Sequence, residues 1–451
     1  MSSVLLIYPF FKPRRDRSVF RFPPLGIAYL AASLHGAGHQ VRLLDCTFLQ
    51  REEALQQALF SPAEVVGIYC MVTMLDDCLW FAHALRGHCR LLIAGGPLPT
   101  CDPLPFLDEF DVVVRGEGEQ TMLEIVGAWE AGSSLGSIAG SVFREPAQNG
   151  IILTSERAFT RDLDSLPFPA RHLLPNQEYI RHGKRKYGYS ITTVMSTRGC
   201  PFRCEFCSNV VFGGSFRERS PANVVDEIEQ ALALGYDRIS FADDVFTMKP
   251  SRVIGICAEI LRRDLQFKWE CLGRVDALDG PTALEMKRAG CTRIYFGIES
   301  GDDQVLKLMN KQITHRQASA AVEAAHQAGL EVGAFFILFY PGETDETVLN
   351  TLHFTTTLPL DYLGLTLPYP LPGTALYKRI SERITRPWHP GESLFTTHRL
   401  IFEADFSETK MLFGLLKGQA QFRMKNKLGR FAPLALRLFE KPTDWMFKLL
   451  R

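Results

Sequence analysis

Short apolar runs alternate with helix-patterned stretches twice along this chain, and that rhythm constrains the fold more than any other feature. The first series has strand candidates at Val4–Tyr8, Gln40–Cys46, Val65–Cys70, Leu91–Ala94 and Val112–Val114. Helical patterns fall between them at Ile27–His35, Arg51–Phe60 and Asp76–His88, and a last one runs to about Ala131. Strands separated by helices need crossover connections, which give parallel strands with helices on both faces. A doubly wound, Rossmann-like sheet is the expectation for residues 1–135. Ligands of such sheets sit at the carboxyl ends of the strands, where strand order reverses. That rule gathers the loops Tyr8–Pro24, Cys46–Leu49, Cys70–Leu75, Gly95–Thr100 and Arg115–Glu119 around one crevice. The first turn, Tyr8-Pro9-Phe10-Phe11, has no GxGxxG, so a dinucleotide is not expected there. Gly95 and Gly96 either admit a large flat ligand close to the backbone or serve only a tight turn.

Two short β runs around Asn149-Gly150 carry a hairpin signal. The Pro-rich stretch Leu163–Pro175 reads as a linker, within a connecting region at 136–185. Tyr179–Tyr189 is basic and reads as a solvated loop in preference to a mobile flap. The second series then begins. Its strand candidates are Ile191–Ser196, Arg238–Ala242, Phe267–Leu272, Arg293–Gly297, Glu331–Leu338 and Tyr362–Leu367, spread over residues 186–375. Residues 376–451 are mostly helical by periodicity. From Lys410 onward ten Lys/Arg stand against two acids, Glu440 and Asp444, with Leu434, Leu438, Trp445, Phe447 and Leu449 interleaved. Such a tail can meet an anionic partner or a membrane surface. Packing of its apolar side on the preceding domain is the favoured reading.

Directly after the first strand of the second series comes Cys200-Pro201-Phe202-Arg203-Cys204-Glu205-Phe206-Cys207. Three thiolates on one short loop can hold three irons of a [4Fe–4S] cube and leave the fourth open to another ligand. A zinc site would want a second CxxC or a nearby His pair, and neither is present. A redox CxxC would leave Cys200 unexplained. The chain has 451 residues, 11 cysteines and a formal net charge of zero, so no global charge points to nucleic acid. Its start lacks the basic region of a secretory leader, and no apolar run is long enough to span a bilayer. Reduced cysteines and a cytoplasmic location follow as expectations.

The spacing CxxxCxxC, with aromatic Phe206 before the last cysteine, resembles the radical S-adenosylmethionine (SAM) superfamily. Pro24-Leu25-Gly26, Gly95-Gly96-Pro97 and Gly116-Glu117-Gly118-Glu119 resemble the N-terminal cobalamin-binding domain fused to many of these enzymes. The resemblance implies a partial (β/α)6 barrel over the second series, with the cysteine loop after its first strand. It implies Cys200, Cys204 and Cys207 as cluster ligands. It further implies a cobalamin site at Pro24, Leu25, Gly26, Cys70, Met71, Thr73, Gly95, Gly96, Pro97, Gly116, Glu117 and Gly118. The cobalt-ligating DxHxxG pattern is absent, since Asp45 is followed by Cys46 and Thr47. Cobalamin is therefore expected base-off, with Met71, Val72 or Met74 beneath it. Leu98 stands where the family often has His.

On the barrel, the resemblance implies SAM contacts at Phe206, Asp243, Asp244, Arg274, Gly297, Glu299 and Phe339. Asp243 and Asp244 at a strand end suit an amino group or ribose hydroxyls, and equally suit capping of the next loop. Arg274 suits a carboxylate, or an ion pair with Asp276 or Asp279. Gly297 permits close approach, and Glu299 offers an acceptor. Phe339 stands where the family usually has Gly, just before Pro341-Gly342-Glu343-Thr344. The activity implied is methyl transfer: a 5′-deoxyadenosyl radical abstracts hydrogen from an unactivated carbon, and methylcobalamin supplies the methyl group. An oxidoreductase or cyclase without methyl transfer is the alternative. An external one-electron reductant such as flavodoxin or ferredoxin is implied. A peptide or protein side chain, a lipid, a tetrapyrrole and a natural-product intermediate all stay open as substrates.

Overall fold

The computed structural model describes residues 1–11, 21–145, 150–385 and 400–450. The described chain forms two compact units. One holds Met1–Val194 with Asn209–Arg238; the other holds Met195–Ser208 and the described residues from Ile239 onward.

In the first unit, β1 (Ser3–Tyr8), β2 (Gln40–Asp45), β3 (Val65–Tyr69), β4 (Leu91–Gly95) and β5 (Val112–Val114) form a sheet continued by β6 (Ser141–Glu145) and β7 (Gly150–Leu153). The order is β2-β1-β3-β4-β5-β6-β7. The first five strands are parallel, and β6 and β7 run antiparallel. Glu145 pairs with Gly150 across the expected hairpin; Asn149 lies outside the described residues. Both sheet faces are buried, as parallel strands require. Leu5, Ile7, Val66 and Ile68 face one apolar cluster, and Val4, Leu6 and Val65 face another. Because β2 and β3 flank β1, the order reverses between β1 and β3, which makes their carboxyl ends the ligand-binding point of this topology.

Two readings of the connecting region change. Residues Tyr179–Tyr189 are not a loop. Helix Asn176–Tyr187 occupies them and ends on Gly188 at φ 81°. Tyr179 is buried and donates to Asp45 Oδ2 at 2.7 Å. The Pro-rich stretch before it is packed: the Ala170 N–H donates to Ala28 O at 2.9 Å, and Arg171 is buried against Glu227. Glu227 also accepts from Arg219 and from the Tyr29 hydroxyl, so one buried carboxylate faces two guanidiniums.

The second sheet has β8 (Ile191–Val194), β9 (Arg238–Phe241), β10 (Lys268–Gly273), β11 (Cys291–Glu299), β12 (Glu331–Ile337) and β13 (Tyr362–Thr366) in sequence order. The pairs β10–β11, β11–β12 and β12–β13 are parallel. This is the expected open (β/α)6 arrangement. Ile294, Phe296, Val332 and Phe336 face the helices and are fully buried. The other face is concave and carries Leu272, Tyr295, Phe335 and Tyr362. Helices Glu408–Leu428 and Ala432–Leu449 end the chain. Met411, Leu415 and Phe447 pack on Leu338, Phe339, Val348 and Leu352, which is the favoured reading of the tail. Leu434, Leu438 and Trp445, on the other side, stay exposed. No described helix is long and apolar enough to cross a membrane.

Candidate functional site

The cysteine loop is held at both ends and in the middle. Ahead of it, Asp243 accepts from the Ser196 N–H at 2.6 Å, the Thr197 N–H at 3.1 Å and the Ser196 hydroxyl. Arg252 Nη2 donates to Ser196 O at 3.0 Å. Asp243 is 1 % exposed, so its carboxylate is spent on the loop; the contact to SAM expected of its side chain is replaced by this pinning role. Asp244 is the exposed member of the pair. Gly199 turns the chain at φ 83° into Cys200.

Within the loop, the Glu205 N–H donates to Met309 O at 2.9 Å, and Glu205 O accepts from the Leu376 N–H at 2.9 Å. The Glu205 carboxylate accepts from Tyr340 Oη at 2.6 Å and from Arg379 Nε and Nη2 at 2.6 and 3.0 Å. Asn310 Nδ2 donates to Arg203 O at 2.7 Å. The Phe202 ring lies 3.4 Å under the Arg274 guanidinium carbon, and Phe206 meets the Tyr340 ring edge-on. None of the three cysteines is in a disulfide. Desolvation, reinforced by the nearby Cys204, pushes the Cys207 thiol up to about 12. Loading a metal there must therefore displace protons. Among the described residues no three His, Cys, Asp or Glu side chains converge on one ion position. Three cysteines on one loop suit a cube, in which each thiolate binds a different iron. The donor set fits such a cluster.

Arg274 does not offer its fork to a ligand carboxylate. Nε and Nη2 donate to Asp276 at 2.9 and 3.0 Å, and Nη2 also reaches Lys311 O at 3.1 Å. The ion-pair reading replaces the carboxylate-binding one. Glu299 ends β11 at φ 72°, a strained conformation for a side-chain-bearing residue. Its carboxylate is 2.9 Å from Lys311 Nζ. A Cβ on Gly297 would lie 2.4 Å from Glu299 Oε1, so Gly297 is what lets the carboxylate fold back over the strand end. Phe339, at φ 64°, explains why glycine suits this position. Its ring is 2 % exposed and packs against Phe406 and Phe447. The Phe339 side chain is thus part of the core and not open to a ligand, against the side-chain contact expected of it. Sequence reasoning missed Lys311, Glu205 and Arg252. Nothing local in the sequence ties Lys311 to Glu299; it is brought there by a turn with Asn310 and Gln312 at positive φ.

In the first unit, the carboxyl ends of β1 and β3 carry Tyr8 and Tyr69, whose ring centroids are 5.4 Å apart. With Phe22, Pro23, Pro24, Leu25, Gly26, Ile27 and Thr193 they line a cleft of about 190 Å³. Gly26 has open space where a Cβ would be. Met71 and Val72 are half-buried and Thr73 is exposed nearby in sequence. The lining of this cleft fits the edge of a large, mostly apolar ligand. Other residues of the expected set also have structural roles. Gly96, at φ 114°, leaves no room for a Cβ, which would sit 2.6 Å from Cys70 O. Its neighbour Gly95 accepts from the Cys70 N–H at 2.7 Å, so this glycine pair serves the turn between strand ends. Pro97 starts the short helix Pro97–Cys101. Cys70 and Met74 are core side chains, which removes Met74 from the set expected below the cobalt. The Gly116 N–H donates to Thr100 Oγ1 at 3.1 Å. Glu117 is buried, binding Arg217 Nη1 at 2.6 Å and the Thr160 N–H at 2.9 Å. Gly118 packs on Leu30. Asp45 accepts from Thr47 and Tyr179, which seals the place where DxHxxG would begin.

Residues 194–355 match the radical SAM superfamily, and residues 12–126 match the B12 binding domain. An uncharacterized methyltransferase of Pyrococcus horikoshii is 34% identical over 369 residues, covering 79% of this chain and 78% of that protein. This chain belongs to the B12-binding radical SAM family. The anaerobic magnesium-protoporphyrin IX monomethyl ester cyclase of Rubrivivax gelatinosus is 27% identical over 84% of this chain and 70% of its own length. The radical SAM methyltransferase TsrM of Kitasatospora setae, solved with cobalamin and a [4Fe–4S] cluster, superposes with a TM-score of 0.71 at 19% identity, covering 84% of this chain and 74% of that one. It shows the same fold. The B12-binding radical SAM chain thus joins a doubly wound unit, an open six-stranded barrel and a helical end.

Proposed function

We propose that this protein is a cobalamin-dependent radical SAM methyltransferase acting on an unactivated carbon. The observation that carries the reading is the pinned loop with three cysteines outside any disulfide, in a chain that also matches a B12 binding domain and is 34% identical to a protein named a methyltransferase. When bound, the cluster, SAM and methylcobalamin supply one-electron cleavage of SAM and a transferable methyl group.

Cys200, Cys204 and Cys207 hold the cluster. Asp243, Ser196, Glu205 and Arg379 keep their loop in one shape, so that little reorganisation is needed when the metal enters. Glu299, paired with Lys311, presents a fixed carboxylate at the strand ends, and Gly297 keeps that place open. Asp244 adds an exposed carboxylate beside Gly199. We assign these groups to SAM. Pro24–Gly26, Met71, Val72 and Thr73 are assigned to cobalamin, at the switch point of the first sheet. An external one-electron reductant completes the system.

The test is anaerobic reconstitution with SAM, cobalamin and a reductant. Formation of S-adenosylhomocysteine together with 5′-deoxyadenosine supports methyl transfer. Cys204→Ala should lose the iron–sulfur absorbance and SAM cleavage together; retained cleavage sinks the cluster assignment. A second reading, oxidative cyclisation without methyl transfer, is favoured by the 27% identity to the cyclase. It predicts 5′-deoxyadenosine with no methylated product.

A further inference from the structure

The concave face of the barrel sheet is not filled. Small barrels are ordinarily packed inside by their own side chains. Here Leu272, Phe335 and Tyr362 are 39%, 41% and 41% exposed, although the opposite face of the same strands is sealed. Large apolar side chains left bare in a concavity mark a binding surface.

Glycines create this surface. In the register of the sheet, Tyr295 stands opposite Gly333, and Phe335 opposite Gly364. A Cβ on Gly333 would lie 2.3 Å from the Tyr295 ring, and one on Gly364 would lie 2.6 Å from the Phe335 ring. Each ring therefore lies down across the neighbouring strand instead of standing up into the lumen. The two rings stack at 5.6 Å with planes 19° apart. Arg293 fixes the layer from below. It donates to Tyr295 Oη at 3.1 Å and to Tyr362 Oη at 2.6 Å, and Glu270 and Glu331 hold the guanidinium in turn. The platform from Leu272 to Tyr362 spans four strands at roughly 4.8 Å spacing, about 14 Å.

We infer that this platform is the substrate-binding surface for a flat, largely apolar polycyclic ring system, with Leu272, Tyr295, Phe335 and Tyr362 as its contacts and Arg293 as a positioning residue. The inference rests on the enzymatic reading above, and it narrows the substrate to a class. A preset apolar plane of this width gains affinity by covering ring faces.

The test is equilibrium binding to the full chain without reductant, so it stands apart from the radical chemistry. The probes are protoporphyrin IX and a pentacyclic triterpenoid alcohol in detergent, with excess hydroxocobalamin present to fill any corrin-sized site. Saturable binding of at least one probe is expected, and which one binds separates tetrapyrrole from triterpenoid sources. Phe335→Ala should weaken it roughly tenfold or more. Leu272→Ser, at a side chain that is 39% exposed, should weaken it in the same direction. Gly333→Ala, which drives the Tyr295 ring off the sheet, should do so too. Binding of neither probe, or equal binding by the wild type and Leu272→Ser, overturns the inference.

Discussion

At the scale of single residues, the site depends on what is left out. Gly297 has no functional group, yet its missing side chain is what allows Glu299 to meet Lys311. Gly297→Ala is expected to push the Glu299 carboxylate aside and weaken SAM binding by about tenfold, in keeping with overpacking costs of about 1–3 kcal/mol. Isothermal titration with SAM against iron–sulfur absorbance separates the two effects; the absorbance should persist. Gly297 and Glu299 were legible in the sequence because a glycine two residues before an acid at a strand end is a local pattern. Lys311 was not, because Asn310 marks a turn only weakly and Gln312, also at positive φ, gives no sign of it. Asp243 and Arg274 were legible as polar residues at strand ends, but their partners were not. Each is satisfied by the protein itself, Asp243 by Ser196 and Thr197, Arg274 by Asp276.

At the scale of elements, the turn after β12 carries a titrating group. The Tyr340 N–H donates to Glu343 Oε2 at 2.7 Å, yet burial dominates and raises the Glu343 carboxyl from 4.5 to about 8. The folded state thus holds a proton that the unfolded chain releases above about 4.5. Its contribution to stability is complete below that value and is lost as pH rises through about 8. Melting temperature should fall across this window, and Glu343→Gln should flatten the fall; an unchanged slope in a pH series of thermal melts refutes it. The helix Asn176–Tyr187 shows why an element was misread. Its basic residues, Lys184, Arg185 and Lys186, sit in the last turn, where they suit the helix dipole, and Gly188 is its left-handed cap. Those signals were present, but the charge run obscured them. The Arg171–Glu227–Arg219 group gives a third expectation. Glu227→Gln would leave two buried guanidiniums without their counter-charge, a loss of about 3–5 kcal/mol by denaturant titration.

At the scale of the whole molecule, both strand–helix series were legible because strand burial and crossover connections leave a periodic trace. Assignment of Asn209–Arg238 to the first unit was not legible, since tertiary packing decides it and no local pattern records it. The end of the chain follows the same logic. Phe447 is fully buried with Phe339, and Gly414 exists to admit the Phe339 ring, 2.5 Å from where a Cβ would be. Ending the chain at Ser407 should bare Leu338, Phe339 and Leu352. Strong binding of an apolar dye and loss of a cooperative melt are expected, and a truncated chain that melts like the full one contradicts this.

The glycine–ring pairs of the barrel sheet make the shape of its lumen a matter of arrangement. Swapping the members of one pair, as Tyr295→Gly with Gly333→Tyr, keeps composition and volume but carries a ring one strand sideways, about 4.8 Å. A lineage that reshuffles glycine and tyrosine across these strands can retune what it accepts while the core beneath is untouched. Relatives with different substrates then need differ little in overall hydrophobicity. The informative comparison between them is which strand holds the glycine.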